Sequence, residues 1–246
     1  MVSANKGDKA ISKAAELGIA SQLDEADNLD VDIRTSPLDL MQGEIDSVSV
    51  KGEGLVMKKE LRAEKLKVET NSISINSIKA AMGNIELVQP TDARMLVVLK
   101  EEDLQNALNS EYIQNKLQNL EIEYEGEKLN AKIEGVKFEL LDDDKIGLNA
   151  DVYLVEQNSQ EKINLTAIPE VDNAGNCIKL ESVEYLENVH SNAEVAKAIV
   201  DSVEEILDLR NFELDTMSLR VRKLNVKLGK LTIEADAEIK DLPQDS

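Results

Sequence analysis

The chain has 246 residues, of which 42% are apolar and 31% charged, and its 49 acidic and 28 basic side chains give a net charge of −21. One cysteine and one histidine exclude an internal disulfide, a cysteine-based zinc site, an iron–sulfur cluster and a multi-histidine metal site. Because nucleic-acid binding depends on neutralising phosphates, the negative charge argues against a DNA or RNA partner. We expect no cofactor, and a core of aliphatic side chains, because aromatic residues make up only 2% of the chain.

The beginning of the sequence lacks the pattern of a secretory signal. Charged residues, among them Lys6, Asp8 and Lys13, interrupt it, so it contains no apolar stretch of signal-peptide length. The longest apolar run, Met95–Leu99, is far shorter than the ~20 residues needed to cross a bilayer. We therefore expect a cytoplasmic protein whose contact with a membrane, if any, is peripheral.

After one predicted helix over residues 8–25, the first part of the chain alternates apolar and polar residues, which is the pattern of half-buried strands. Met95–Leu99 is apolar throughout and predicts a strand buried on both faces. Gly52-Glu53-Gly54 lacks the third glycine and the following helix of a phosphate-binding loop, so we interpret it as a turn between strands. The other strands predicted here are Val31–Ile33, Ile45–Lys51, Leu61–Thr70 and Asn71–Asn76.

The central part predicts two short helices within Lys100–Leu120, the second capped by Ser110, followed by an antiparallel meander. The first three meander strands begin at Val136, Ile146 and Ile163, and the fourth is predicted over Ile178–Tyr185. Pairing Leu140 with Ile146, Phe138 with Leu148 and Val136 with Ala150 places every apolar residue of the first two strands on one face. Pairing Leu154 with Ile163 does the same for the next two.

The acidic run Asp142–Asp144 lies between the first two meander strands. It lacks the alternating spacing and the distant glutamate of a calcium loop, and aspartate is common in tight turns. A hairpin turn is therefore favoured over a metal site.

The last part predicts a helix over 192–207, capped by Ser191 and Glu194, and then a hairpin. We expect a two-residue turn at Gly229-Lys230 and a bulge near Arg222-Lys223. The elements together predict an α+β fold, mostly antiparallel β, in which a rolled sheet carries a few amphipathic helices. The predicted domain organisation is an N-terminal helical segment over 1–27, one β domain over 28–242 and a tail over 243–246.

Two stretches resemble a known family. They are Ser36–Leu55, which holds a proline-started segment ending at Gly43 and a Gly52-x-Gly54-Leu turn, and Leu99–Leu108, which begins an acidic-leucine helix after a strand. They are similar to the LmeA-like phospholipid-binding family of bacteria. The resemblance implies an elongated, funnel-like β-roll with an apolar interior for acyl chains.

Residues on the apolar phase of their strands are predicted to face this interior and line it. They are Leu66, Val68, Ile73, Val97, Leu99, Leu219, Val221, Val226, Leu228 and Ile233. Two basic segments could contact lipid head groups or a membrane surface. Their candidate residues are Lys58, Lys59, Arg62, Arg220, Arg222, Lys223 and Lys227. A solvated strand face, with these cations paired to acids across the ladder, is the alternative.

We therefore expect a non-catalytic phospholipid-binding protein that holds acyl chains and docks reversibly at a membrane. A packed β-rich scaffold or interaction protein is the alternative, and a hydrolase or transferase working through paired carboxylates is a weaker one. The sequence nominates no catalytic residue and no metal ligand: no nucleophile elbow occurs, and His190 is best explained as a loop histidine.

Overall fold

The structure is a computed structural model. It describes residues 6–21, 23–57, 61–81, 86–118, 120–124, 126–186, 193–206 and 217–241. The predicted Ser191 cap, His190, Lys58 and Lys59 lie outside these ranges.

Antiparallel strands predominate among the described residues, and a few helices accompany them. The helices are α1 (Lys6–Ser21), α2 (Pro37–Gln42), α3 (Ser77–Ala81), α4 (Glu101–Leu108), α5 (Glu111–Leu117) and α6 (Ala193–Ile206). The strands are β1 (Asn28–Arg34), β2 (Glu44–Ile45), β3 (Ser47–Met57), β4 (Leu61–Thr70), β5 (Ile73–Ser74), β6 (Thr91–Lys100), β7 (Leu120–Tyr124), β8 (Glu127–Leu140), β9 (Ile146–Leu154), β10 (Ser159–Val171), β11 (Ile178–Tyr185), β12 (Met217–Lys227) and β13 (Lys230–Ile239). The predicted α+β class with a rolled, mostly antiparallel sheet is confirmed.

The chain forms two compact units. Unit 1 consists of Met1–Val98, Glu213–Arg222 and Ile233–Ser246, and unit 2 consists of Leu99–Phe212 and Lys223–Thr232. A six-stranded sheet has the order β1-β3-β4-β6-β13-β12, and a five-stranded sheet has the order β11-β10-β9-β8-β7. The unit boundary falls within β6, β12 and β13, so each of these three strands contributes residues to both units.

In unit 1, α1 packs against β1, and Ser12 accepts a hydrogen bond from the backbone N–H of Ile33 (2.9 Å). Val31 and Ile33 on β1 form a buried cluster with Ile45 on β2 and Ile75, the residue after β5. The predicted strand over Asn71–Asn76 shortens to Ile73–Ser74, which pairs with β2, and Ile75 forms an isolated bridge with Leu87.

The five-stranded sheet of unit 2 is the predicted meander, preceded by a strand, β7, that the sequence analysis did not identify. The pairs Leu140–Ile146 and Phe138–Leu148 are confirmed. Val136 does not lie opposite Ala150, because the register shifts between Glu134 and Lys137.

The next register in this sheet was predicted incorrectly. Leu154 lies opposite Ser159, not Ile163, because the turn occupies 155–158, two residues earlier than the predicted pairing requires. Ile163 instead pairs with Ala150, a slip of four residues. Since side chains alternate with a period of two, an even slip leaves the same residues on the buried face. The meander and α6 enclose a packed core that includes Leu140, Leu154 and Val195, each at most 2% exposed.

The helix and turn predictions for unit 2 are largely confirmed. Two short helices, α4 and α5, occupy the predicted region, and Ser110 accepts a hydrogen bond from the N–H of Ile113 at the start of α5 (3.4 Å). Asp142–Asp144 forms the hairpin turn between β8 and β9. Asp144 then accepts hydrogen bonds from the N–H of Val226 (2.9 Å) and the amide of Asn225 (3.3 Å), so this turn holds the β12–β13 hairpin.

The hairpin turn itself lies one residue earlier than predicted. β12 ends at Lys227 and β13 begins at Lys230, so the two turn residues are Leu228 and Gly229. Gly229 has φ +71°, a left-handed conformation that glycine adopts without the steric cost of a side chain, and this fixes it at a turn position. The burial pattern of β12 changes phase at Arg222-Lys223, where two consecutive side chains are exposed, as the predicted bulge requires.

Two strand predictions in unit 1 need correction. Gly52-Glu53-Gly54 is not a turn, because β3 continues through it and Glu53 pairs with Lys65. The predicted strand over Met95–Leu99 extends to Thr91–Lys100, and of its apolar run only Val98 is fully buried. The glycines have packing roles: a Cβ on Gly52 would collide with the side chain of Leu55, and one on Gly54 would overlap the Asp27 carboxylate.

The variant Gly54→Ala is expected to lower the free energy of unfolding by about 2–3 kcal/mol. The left-handed backbone (φ +59°) costs an L-residue roughly 1–2 kcal/mol, and the overlap with Asp27 adds to it. Urea unfolding followed by circular dichroism measures the loss. Gly126→Ala is the matched control, because Gly126 is also left-handed (φ +79°) but has no heavy atom within 4 Å of an added Cβ. Equal losses in the two variants would show that the Asp27 contact contributes nothing.

Candidate functional site

The six-stranded sheet of unit 1 has one apolar and one polar face, and strand register defines both. Val31 lies opposite Val50, Val50 opposite Val68, and Val68 opposite Met95. Directly opposed residues share a face, so these four residues form one apolar row across four strands. Leu66 and Val97, also opposed, form the neighbouring row. Leu66, Val68 and Val97 therefore share one face, as predicted.

This apolar face is covered unevenly. At β1 and β3, Val31, Ile33, Val48 and Val50 belong to a packed cluster to which α1 contributes Ile19. On the same face of β4 and β6, four apolar side chains are half-buried and belong to neither packed cluster of the described residues. They are Leu66, Val68, Met95 and Val97, and we call them the apolar groove. The groove continues the apolar face from the packed cluster at β1 and β3 onto β4 and β6. Its side chains are flexible and carry no aromatic ring.

The other residues predicted to line an interior are distributed between the two units. Leu219, Val221 and Ile233 lie in unit 1, on β12 and β13; Val221 is buried and the other two are half-buried. Ile73 packs against the cluster around Ile45.

Three predicted interior residues belong to unit 2. Leu99 is half-buried, and Val226 is 3% exposed within the packed core of that unit. Leu228 was expected to face inward, and this is wrong: it is 70% exposed, because the turn begins at Leu228 rather than after it.

The opposite face of the unit 1 sheet is polar. Here Asp32, Ser49, Glu69 and Arg94 are neighbours across β1, β3, β4 and β6. A cavity of about 660 Å³ lies on this face, and we call it the polar trough. Lys67, Lys51 and Arg94 hold the pKa of Glu69 below its ordinary value, the largest cause being the hydrogen bond from Lys67. Sequence reasoning missed the trough, although alternating charges on the polar phase of β1, β3 and β4 were its visible signal.

The predicted head-group residues differ in their partners. Arg62 forms ion pairs with Asp27 (3.5 Å) and Glu64 (3.1 Å), and Arg222 pairs with Asp236 (3.3 Å). Arg222 is thus paired to an acid across the β12–β13 hairpin, as the alternative interpretation expects, whereas Arg62 pairs with Glu64 on its own strand and with Asp27 before β1. Arg220, Lys223 and Lys227 are exposed, and none of them has an ion-pair partner in the part of the chain that the structure describes; the same holds for Lys230.

Among the described residues, no group of three or more His, Cys, Asp or Glu side chains is arranged to hold a metal ion. No described helix combines the length and apolarity required to span a bilayer.

Comparison with known proteins identifies one family. The family model described as LmeA-like phospholipid-binding matches residues 7–236 of the 246-residue chain. No curated protein and no solved structure matches the chain. The match includes both stretches that carried the resemblance, the segment from Ser36 to Leu55 and the start of α4, together with all of the apolar groove. Because the match spans most of the chain, the protein belongs to the LmeA-like phospholipid-binding family.

Proposed function

We propose that this protein binds a phospholipid without catalysis, and that an acyl chain lies along the apolar groove. The observation that carries this proposal is the apolar groove itself. Its four side chains, Leu66, Val68, Met95 and Val97, are half-buried and lie beside a packed apolar cluster without belonging to it. Burying apolar surface releases roughly 25 cal/mol per Å², so an acyl chain on this row gains free energy along its whole length. Aliphatic side chains without aromatic rings suit a flexible chain.

Further apolar residues of unit 1 support the same ligand. Leu219 and Ile233 on β12 and β13 are half-buried, and both strands belong to the sheet that carries the groove. Val221, two residues after Leu219 on β12, is buried. We propose that these residues extend the acyl-binding surface beyond β6.

The double variant Leu66→Gln/Val97→Asn tests the acyl-binding proposal. The two residues are opposed on β4 and β6, so both substitutions place amides in the middle of the groove. We expect at least tenfold weaker binding of a phospholipid that carries a fluorescent label on one acyl chain. The measurement is a fluorescence titration of delipidated protein, because the label brightens in an apolar site.

The matched control is Leu186→Gln/Val155→Asn, which makes the same chemical changes at exposed residues of unit 2. Circular dichroism checks that both double variants fold. Equal affinity in the groove variant, the control and the unmodified protein would overturn the proposal. It would favour the packed scaffold that the sequence left open.

We also propose that the protein docks reversibly on anionic bilayers through the tip of the β12–β13 hairpin. Leu228 is 70% exposed there, between Lys227 and Lys230, neither of which has an ion-pair partner among the described residues. The tip is held in place: the Gly229 N–H donates to the Leu140 carbonyl (3.0 Å), and the Gly229 carbonyl accepts from the Glu101 N–H (3.2 Å). A fixed leucine flanked by free lysines combines apolar insertion with attraction to lipid phosphates.

A further inference from the structure

The polar trough of unit 1 is lined by two cations, Lys51 and Arg94, that form no ion pair with the other described residues. Three of its acids already pair with bases: Asp32 with Arg34 (3.0 Å), Glu69 with Lys67 (2.8 Å) and Asp236 with Arg222 (3.3 Å). Within the described residues, Lys51 and Arg94 have no such partner, although both line the trough. The trough therefore presents two cations outside its ion pairs, offset in part by the one acid of the lining that is also unpaired among the described residues, Asp92.

Strand register explains why these two cations stay free. Arg94 lies directly opposite Glu69, but the Glu69 carboxylate is taken by Lys67 from the same strand. Lys51 lies directly opposite Lys67, and like charges in opposed positions destabilise a sheet. An anion held between Lys51 and Arg94 would relieve this repulsion. The lowered pKa of Glu69, to which both cations contribute, is consistent with their lying close together.

Neutral hydrogen-bonding groups line the same trough. Ser47 and Ser49 on β3 and Asn71 after β4 line it, and no hydrogen bond of their side chains is found in the described part of the chain. Serine hydroxyls and the asparagine amide can donate to phosphate oxygens or to sugar hydroxyls. Asp92, the remaining acid of the lining, lies two residues before Arg94 and can accept from a hydroxyl. The cations and these groups form a mixed site for a ligand that is both anionic and hydroxyl-rich.

We propose that the polar trough binds a phosphate ester of a polyol, with the phosphate held by Lys51 and Arg94 and the hydroxyls by Ser49, Asn71 and Asp92. The volume of about 660 Å³ lies within the 300–1,000 Å³ range of small-molecule sites and exceeds what a phosphate alone requires. The same chemistry occurs in a soluble sugar phosphate and in a polyol-phosphate lipid head group. The site lies on the opposite face of the sheet from the apolar groove, so it is independent of acyl binding.

The test is isothermal titration calorimetry of the full chain at low salt with glucose 6-phosphate, inorganic phosphate and glucose. We expect glucose 6-phosphate to bind at least tenfold more tightly than inorganic phosphate, and glucose not to bind. Lys51→Gln/Arg94→Gln should weaken the binding of glucose 6-phosphate at least tenfold. Equal affinity for inorganic phosphate would overturn the polyol part of the proposal.

Lys132→Gln/Lys179→Gln is the matched control. It removes two cations from exposed strand positions of unit 2 that also have no ion-pair partner in the described part of the chain. We expect its affinity to stay within about twofold of the unmodified protein. An equal loss in both double variants would show that net charge, not the trough, governs binding and would overturn the proposal. Absence of binding by all three probes would overturn it as well.

A second arm distinguishes the sources of the phosphate ester. Vesicles of a neutral lipid with and without a phosphatidylglycerol fraction are compared in a flotation assay with the unmodified protein and the Lys51→Gln/Arg94→Gln variant. Loss of phosphatidylglycerol-dependent flotation in that variant supports a lipid head group as the ligand. Unchanged flotation, together with lost glucose 6-phosphate binding, supports a soluble ester.

Discussion

Replacing Val226 with aspartate is expected to lower the free energy of unfolding by at least about 3 kcal/mol. Val226 is 3% exposed in the packed core of unit 2, so the variant loses about 1.5–3 kcal/mol of apolar burial. It also buries a carboxylate among apolar side chains without a compensating cation, close to the exposed carboxylate of Asp144 that accepts from the Val226 N–H. Natural domains are stable by only about 5–15 kcal/mol, so this loss is large. Urea unfolding monitored by circular dichroism measures it.

Leu228→Asp is the matched control for Val226→Asp. It introduces the same side chain two residues later in the same hairpin, but Leu228 is 70% exposed. Substitutions at exposed positions change stability by about 0.5 kcal/mol or less. A comparable loss in Leu228→Asp would contradict the position of the turn at Leu228-Gly229.

The second large effect concerns binding to vesicles. Each lysine near an anionic bilayer contributes about 1 kcal/mol, and each 1.4 kcal/mol changes affinity tenfold. Removing the attraction of Lys227 and Lys230 alone thus costs about 2 kcal/mol, and reversing their charge costs more. We expect Lys227→Glu/Lys230→Glu to weaken co-sedimentation with anionic vesicles at least about 30-fold at low salt. Because the Debye length shortens from ~10 Å at 0.1 M salt, binding of the unmodified protein should also weaken as salt is raised.

Leu228→Ser separates the apolar contribution to docking from the electrostatic one. It keeps both lysines, so its binding should weaken by a factor that stays the same at low and high salt. Lys132→Glu/Lys179→Glu carries the same change in net charge at exposed positions of unit 2 and is expected to bind like the unmodified protein. Binding that ignores salt and the Lys227→Glu/Lys230→Glu substitutions would contradict docking by the hairpin tip.

The sequence allowed strands with clear alternation to be predicted closely. The ranges Leu61–Thr70 and Ile178–Tyr185 match β4 and β11 residue for residue, because turn residues or charges mark their ends. The register between paired strands could be predicted less closely. A four-residue slip between β9 and β10 leaves the apolar face unchanged, so alternation alone could not distinguish the two pairings.

The candidate site was predictable only in part. Leu66, Val68 and Val97 could be assigned to one face because their alternation is regular and β4 pairs with β6. Which section of that face α1 covers depends on contacts between residues far apart in sequence. Leu228 was predicted to face inward because the turn was placed one residue too late. Leucines lie near the turn in both placements, so the conformation of Gly229 is what distinguishes them.

The β12–β13 hairpin also has a consequence for folding during synthesis. Its segments complete both units, since Glu213–Arg222 and Ile233–Ser246 belong to unit 1 and Lys223–Thr232 to unit 2. The hydrogen bonds from Asn225 and Val226 to Asp144 span 81 and 82 residues of sequence. Neither unit can therefore close until β12 and β13 have left the ribosome. Until then the six-stranded sheet lacks β12 and β13, so the edge of β6 is unpaired, and unpaired strand edges of this kind are sites of aggregation. The nascent chain therefore carries an exposed strand edge until this hairpin pairs with β6.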